Sequence, residues 1–348
     1  MLANLEEKVH IRNLTLSELE ERVRSMGERP FRARQIFHHL YVRFVTSWDE
    51  CTDLSKNFRK ELERYFYIDE LSLSSRLVSS DGTEKFAFKL SDGHVVESVL
   101  IPDPPRFTLC VSTQVGCPLK CSFCYTGSLG FKRNLTAGEI IDQYVLVQKL
   151  CKKRITNIVF MGMGEPLLNE GELFRSLEIM LEPKGINFSH RRITVSTVGI
   201  VPAMDRLGAR YPVNLAVSLH APRNDLRNAL MPINKTYPLE SLMNACARYP
   251  LPPRKRITFE YVLIDGVNDS PREARDLVDL VRPIRCKINL IPYNPHKGAS
   301  YRRSSDKAIA EFQAVLQSAN ITATIRESRG ADIHAACGQL AGSLVEED

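Results

Sequence analysis

Residues 108–127 read TLCVSTQVGCPLKCSFCYTG, an apolar strand-like run that empties into a loop holding Cys117, Cys121 and Cys124 within eight residues. The same grammar recurs downstream. Strand-like runs stand at 155–162 (ITNIVFMG), 192–198 (RITVSTV), 213–219 (VNLAVSL), 257–263 (ITFEYVL) and 287–292 (KINLIP), with a late 321–327 (ITATIRE). Helix-length amphipathic segments separate them, and that alternation predicts a parallel sheet with crossover helices. Six such units are too few for a closed eight-fold barrel and enough for an open, partial (βα)6 barrel. Ligands of such sheets sit beyond the carboxyl ends of the strands. The chemistry-bearing residues fall there: the triad after the first strand, GMGEP at 162–166 after the second, Ser196 in the third, SLH at 218–220 ending the fourth and PYN at 292–294 ending the sixth.

Composition sets the frame around this barrel. The chain has 348 residues, 43% apolar and 25% charged, which suits one large domain with a smaller module. The opening MLANLEEKVHIRN is charged where a signal peptide needs an apolar run, and no window reaches the length of a membrane span. A cytoplasmic, non-membrane protein is expected. Nine cysteines, in a reducing compartment, point to metal ligation or chemistry more than to structural disulfides. A net charge of +6 permits a nucleic-acid partner without demanding one.

Upstream of the barrel the sequence predicts a helical module over 1–68 and a β-hairpin extension over 69–102. Thr15 and Glu18 form a capping box ahead of one helix, Gly27 sits where a left-handed C-cap belongs, and FRARQIFHHLYVRF supplies a second amphipathic segment. Arg29, Arg32, Arg34, Arg43, His38 and His39 interleave with Phe31, Phe37, Tyr41 and Phe44 without an acidic residue before Trp48. That stripe is either a phosphate-facing surface or a solvated charged face over an aromatic core. EKFAFKLSDGHVVESVLIP alternates around Ser-Asp-Gly turns, as antiparallel strands do. The barrel spans 103–334, and a segment over 335–348 follows it.

The cysteine loop has a definite chemical meaning. A structural zinc wants four ligands in closed tetrahedral geometry, and the loop offers three with no fourth at the usual spacing. Three thiolates suit a 4Fe-4S cluster with one iron left open to a substrate or cofactor. A glycine pair before Glu165 is either part of a binding turn or only a tight turn. His220 alone is more often a structural histidine than a ligand.

The Cys-x3-Cys-x2-Cys spacing with Phe123 before the last cysteine resembles the cluster loop of radical S-adenosylmethionine enzymes. Further motifs, TLCVSTQVGC, GFKRNLTAGEI, VFMGMGEPLLN, LAVSLHAPRNDLRNALMPINK, LIDGVNDS, NLIPYNP and RGADIHAACGQL, are similar in order and spacing to the RlmN family of dual-specificity RNA methyltransferases. The N-terminal module and the SSDGTEKFAFKLSDG hairpin extend the likeness to nearly the whole chain. Tyr125 departs from it, standing where a small residue is usual.

The resemblance implies a radical methylation of adenosine C2 in 23S ribosomal RNA, at the peptidyl-transferase centre, and in the anticodon loop of transfer RNA. Cys117, Cys121 and Cys124 then hold a 4Fe-4S cluster. Gly164 and Glu165 grip the amino group of S-adenosylmethionine, and Ser196, Ser218, Leu219, His220 and Asn294 contact its ribose and adenine. Two S-adenosylmethionines are used per turnover: one methylates Cys337, and the other yields a 5′-deoxyadenosyl radical that activates that methyl group. The carbon radical adds to adenine, Glu97 takes the C2 proton, and Cys110 forms a transient disulfide with Cys337 to free the RNA. Without the family, Glu97 reads as a surface strand carboxylate and Cys110 as a buried strand cysteine. A flavodoxin-type electron donor is implied as a partner. The alternatives are a Cfr-like enzyme methylating adenosine C8 and conferring antibiotic resistance, and a zinc-stabilised RNA-binding module. Basic clusters at Lys132 and Arg133, Arg191 and Arg192, Arg254 to Arg256, and Arg302 and Arg303 are expected in part to flank the barrel mouth, where a flipped adenine enters.

Overall fold

A computed structural model describes residues 8–68, 71–296 and 298–342. The ends of the expected N-terminal module and C-terminal segment, and the start of the hairpin extension, lie outside them. The first part of the chain runs β1 (Val9–His10), α1 (Leu16–Ser25), α2 (Phe31–Tyr41), α3 (Lys56–Tyr65) and β2 (Phe66–Tyr67). Thr15 and Glu18 close the reciprocal capping box of α1. Its far end is a Schellman turn: Glu28 N–H donates to Val23 O at 3.1 Å and Gly27 N–H to Arg24 O at 3.0 Å, with Gly27 at φ +82°. Asp53, Glu28 and Glu20 reach in from outside the acid-free window. Arg34 pairs with Glu20 at 3.0 Å, Arg32 with Glu28 at 3.7 Å and His39 with Asp53, so much of the stripe is engaged within the module.

Three antiparallel strands follow, β3 (Ser72–Val78), β4 (Glu84–Lys89) and β5 (Val95–Asp103), and then β6 (Arg106–Cys110). A short ribbon of β7 (Gln114–Gly116) and β8 (Phe131–Asn134) brackets the cysteine loop and α4 (Tyr125–Ser128). The remaining elements alternate: α5 (Ala137–Leu150), β9 (Asn157–Phe160), α6 (Glu170–Leu181), β10 (Ile193–Thr197), α7 (Val201–Arg210), β11 (Asn214–Ser218), α8 (Asn224–Leu230), α9 (Leu239–Arg248), β12 (Ile257–Leu263), α10 (Pro271–Val281), β13 (Cys286–Pro292), α11 (Asp306–Ser318) and β14 (Ala323–Ile325). Each later strand-like run quoted above contains its strand in whole or nearly so, and the first strand, β6, begins two residues ahead of its run, at Arg106. Capping side chains start the helices where the sequence provides them, as Thr136 with Glu139 does for α5 and Ser270 before Pro271 does for α10.

Ten strands form one sheet, in the order β14-β13-β12-β11-β10-β9-β6-β5-β4-β3, while β1 with β2 and β7 with β8 make two-stranded pairs of their own. From β6 to β14 all neighbours are parallel, the open partial barrel of six βα units with a seventh, three-residue strand at its edge. The hairpin strands are joined to this sheet: β5 pairs antiparallel with β6, Val99 opposite Cys110. Strand β12 is buried on both faces except at Thr258, as a central parallel strand must be.

The N-terminal module is docked firmly on α5 and α6. Arg12, fully buried, bonds Asp142 of α5 at 2.8 Å and Val45 O at 3.1 Å. Asn13 Oδ1 accepts from Gly138 N–H at 2.7 Å, and a Cβ at Gly185 would lie 2.6 Å from the Phe37 ring. The last described stretch returns to the hairpin. Ser79 hydroxyl donates to Asp332 at 2.6 Å, Gly330 N–H to Asp81 at 3.1 Å, and Ala341 N–H to Glu97 at 2.7 Å. Among the described residues no helix is long and apolar enough to cross a membrane.

Candidate active site

A cavity of about 170 Å3 opens at the carboxyl ends of the parallel strands. Its wall gathers Cys117, Cys121, Cys124, Gly164, Glu165, Ser196, Ser218, His220, Asn294 and Cys337 from segments up to 220 residues apart. Burial pushes the thiols of Cys117, Cys121 and Cys124 up, that of Cys117 to about 12. Such thiols ionise only beside a strong positive centre, which suits metal ligation. Two buried polar atoms of the wall, Glu260 Oε2 and Tyr293 Oη, have no hydrogen-bond partner among the described residues. Three thiols and two unpartnered polar atoms lining one cavity are a donor set that fits a metal cluster with a polar cofactor beside it.

The turn after β9 is built around Gly164, at φ +98°, where a Cβ would come within 2.6 Å of Gln114 Cβ. Only glycine lets this turn cross so close to β7. It delivers Glu165, whose oxygens accept from Leu167 N–H at 3.0 Å and Val198 N–H at 2.9 Å. Burial raises the carboxyl to about 7 despite those bonds. His220, in the left-handed region at φ +58°, accepts from Val262 N–H at Nδ1 over 3.0 Å. Its proton is therefore on Nε2, and burial holds the imidazole neutral, with its pKa down to about 3. Leu219 alternates away from Ser218 and His220, its side chain in the core and its carbonyl receiving Arg227.

Cys337 is exposed and lies in the common wall of this cavity and a second one of about 360 Å3, together with Ile291, Asn294 and Arg326. Its loop is stitched down on both sides: Asn294 Nδ2 donates to Cys337 O at 3.1 Å, Tyr125 N–H to Gly338 O at 2.8 Å, and Thr126 hydroxyl to Leu340 O at 2.7 Å. Tyr125 is thus accommodated, with its ring 5.2 Å from that of His296. Cys110 is buried at the end of β6, its thiol pushed up to about 12 by burial and then by neighbouring Cys337. The Arg326 guanidinium opposes both and is itself held above its ordinary value, first by Cys337 and then by Glu260 and Cys110. Glu97, buried on β5, stands outside the wall of the cavity. Its Oε1 is 3.2 Å from Lys85 Nζ, and its Oε2 accepts from Ala341 and Gly342.

Sequence reasoning missed Arg326, Lys85 and Arg227. The last is fully buried and ties the strand ends together, Nε to Leu219 O at 3.1 Å, one terminal nitrogen to Val198 O at 2.7 Å and Ser218 O at 3.1 Å, the other to Asn234 at 2.8 Å. The expected basic rim is only partly at this end. Arg133 is held by Glu139 at 2.8 Å and by Asp92, and Arg303 by Asp306 at 2.9 Å. Arg191, Arg192 and Arg254 to Arg256 precede β10 and β12 and so stand at the opposite end of the sheet.

Comparison with known proteins fits this geometry. The Radical SAM superfamily model matches residues 111–278, and the ribosomal RNA large subunit methyltransferase N-terminal domain matches residues 9–68. A dual-specificity RNA methyltransferase RlmN of Syntrophobacter fumaroxidans is 58% identical over 96% of this chain and 98% of its own. Its counterpart in Geobacter sulfurreducens is 52% identical over 97% of this chain and 93% of its own. The crystal structure of a radical SAM methyltransferase from Sphaerobacter thermophilus superposes with a TM-score of 0.93, at 46% identity over 96% of this chain and all of that one.

Proposed function

The chain belongs to the RlmN family of radical SAM methyltransferases, and on that footing we propose that it methylates C2 of adenosine in 23S ribosomal RNA and in transfer RNA. The relatives that match nearly its full length are dual-specificity RNA methyltransferases, so the Cfr-like C8 reading is set aside. So is a zinc-stabilised module without catalysis. Cys117, Cys121 and Cys124 would hold the 4Fe-4S cluster, which with S-adenosylmethionine supplies a 5′-deoxyadenosyl radical. A flavodoxin-type protein serves as electron donor, in the cytoplasm.

The observation that carries the reading is the position of Cys337 in a wall shared by two cavities. A methyl carrier has to be reached from the cofactor side to be loaded and from another side to meet a base. Arg326, whose charge interacts with Cys337 and Cys110, partly offsets the burial that pushes the Cys110 thiol up. Cys110 resolves the adduct by attacking Cys337 sulfur, so that the S–S bond forms as the sulfur–methylene bond breaks and the released carbon takes a proton to become the methyl group. The one electron left by the radical addition would return to the iron–sulfur cluster. Glu97 receives the C2 proton, which requires it to exchange its bonds to Ala341 and Gly342 for the substrate. Glu165 orients the cofactor ammonium, and Ser196, Ser218, His220 and Asn294 orient its nucleoside. Two S-adenosylmethionines are consumed per methyl delivered.

Mass-spectrometric mapping of RNA from cells with and without the protein tests the activity: 2-methyladenosine should vanish from both RNAs on deletion. Purified Cys110→Ala protein tests the route. It should carry RNA through Cys337, seen as a nuclease-sensitive band on a denaturing gel. An unmodified Cys337 peptide in an iron-replete preparation would overturn it.

A further inference from the structure

The amino-terminal ends of the parallel strands, opposite the cavity, form a surface that the reaction does not use. Before β9 come Lys152, Lys153 and Arg154, and before β10 come Arg191 and Arg192. Arg254, Lys255 and Arg256 lead into β12, and Arg285 with Lys287 opens β13. Asp and Glu are absent from these four lead-ins. Among the described residues none of these ten cations is within 4.0 Å of a carboxylate oxygen, and eight are exposed. Asp103 and Asp279 at the same end are matched by Arg106 and Arg282, while Glu182 caps Lys184 N–H.

The cations form one field, because the sheet register sets the strand starts side by side. Arg192 reaches Asn157 at 3.3 Å, Asn214 donates to Arg191 O at 2.9 Å, and Lys255 Nζ bonds Asn214 at 2.7 Å. Arg285 O accepts from Ile257 N–H at 3.1 Å. Lys255 is lowered by burial and then by Arg191 and Lys287, a repulsion that no carboxylate within 4.0 Å among the described residues offsets. A polyanion would relieve it.

We propose that this end of the barrel is a second RNA-binding surface, which takes the phosphodiester backbone of a folded RNA whose target adenosine is held at the opposite mouth. The proposal rests on the methyltransferase reading for its ligand class. Strands β12 and β13, seven residues each, put the field about 23 Å from the cavity at ~3.3 Å per residue. A short stem-loop at the mouth cannot reach both ends, whereas a large folded RNA can. The N-terminal module lies alongside, with Phe37 packed on Gly185 shortly before Arg191. An acidic electron-donor protein is the less suitable occupant, since it would dock a full strand length from the three thiols.

The test uses the full-length, cluster-loaded protein with Arg191→Gln, Arg192→Gln, Arg254→Gln and Arg256→Gln combined. Binding of a transcribed 23S rRNA fragment and of a stem-loop containing only the target helix is measured against salt. Each phosphate contact contributes about 0.7 to 0.9 to the slope of log K against log salt. The variant should lose roughly 3 in slope for the long fragment and at least tenfold in affinity at low salt, with stem-loop binding and methylation unchanged. A second variant, Lys152→Gln with Lys153→Gln, should lose about half as much. An unchanged slope for the long fragment overturns the proposal. Slower reduction by flavodoxin with RNA binding intact overturns it in favour of a protein partner. Absence of methylation of either RNA by the unaltered enzyme would count against the methyltransferase reading, and the binding slopes would still decide the surface.

Discussion

Replacing Arg227 by Met should cost about 3 kcal/mol of stability and loosen the cofactor cavity together. The guanidinium is fully buried, has only neutral oxygens as partners, and is pushed down to about 10 by burial. Set against its ordinary 12.5, that depression corresponds to about 3 kcal/mol of charge burial, which Met relieves. The same change strands the carbonyls of Val198 and Ser218 and the side-chain oxygen of Asn234, while Leu219 O keeps the Ala221 N–H at 2.8 Å. A buried acceptor without a donor costs about 1–3 kcal/mol, so at about 2 kcal/mol each the three losses come to about 6 and exceed the relief by about 3 kcal/mol. Denaturant unfolding followed by circular dichroism, with the slope checked for constancy, measures the difference. Since Val198 and Ser218 line the cavity, affinity for S-adenosylmethionine should fall at least tenfold. Arg227→Lys should lie between the two proteins. A loss below about 1 kcal/mol, or unchanged cofactor affinity, would refute the claim that these bonds hold the strand ends in place.

Replacing Cys121 by Ala should abolish both methylation and 5′-deoxyadenosine formation, and iron analysis should show the cluster missing. With Glu97→Gln, proton removal fails and RNA should accumulate on Cys337 as it does with Cys110→Ala, read on the same denaturing gel. Glu165 has its carboxyl raised to about 7 from 4.5; its neutral form suits the empty fold, and stability from this group is lost as pH rises through that interval. An ammonium ligand needs the ionised form, so S-adenosylmethionine affinity should fall about tenfold per pH unit below 7, and calorimetry should show a proton released on binding. Glu165→Gln should abolish that pH dependence. Arg12→Ala leaves Asp142 buried without its closest cation and should cost about 3–5 kcal/mol of stability.

The strands were legible because parallel sheets buried on both faces demand continuous apolar runs, and most of the runs ended at or beside a residue of ligand type, the run over 257–263 excepted. The cysteine loop was legible for the same reason. Joining of the hairpin to the barrel sheet was not, since alternation in EKFAFK or VVESVL marks a strand without naming its neighbour. Arg227, Arg326 and Lys85 were missed because charged side chains are ordinarily exposed, and nothing local distinguishes a buried one. Leu219 follows the period-2 rule, which puts it opposite Ser218 and His220. Two of the basic clusters, Arg191 with Arg192 and Arg254 to Arg256, lie away from the mouth for a reason already in the sequence: they precede strands, and the chain direction sends residues before a strand to the end away from the cavity.

The strap over residues 330–342 meets the hairpin across the whole length of the chain, 253 residues from Ser79 to Asp332 and 244 from Glu97 to Ala341. Contacts of such separation have high contact order and form late, after the intervening sheet has closed. During synthesis, the loop bearing Cys337 emerges only after the fourteen strands of the described residues have been made. Cys337, the proposed methyl carrier, is therefore not available to Cys110 until the described strands have been synthesised, so a disulfide between the two cannot form before that stage.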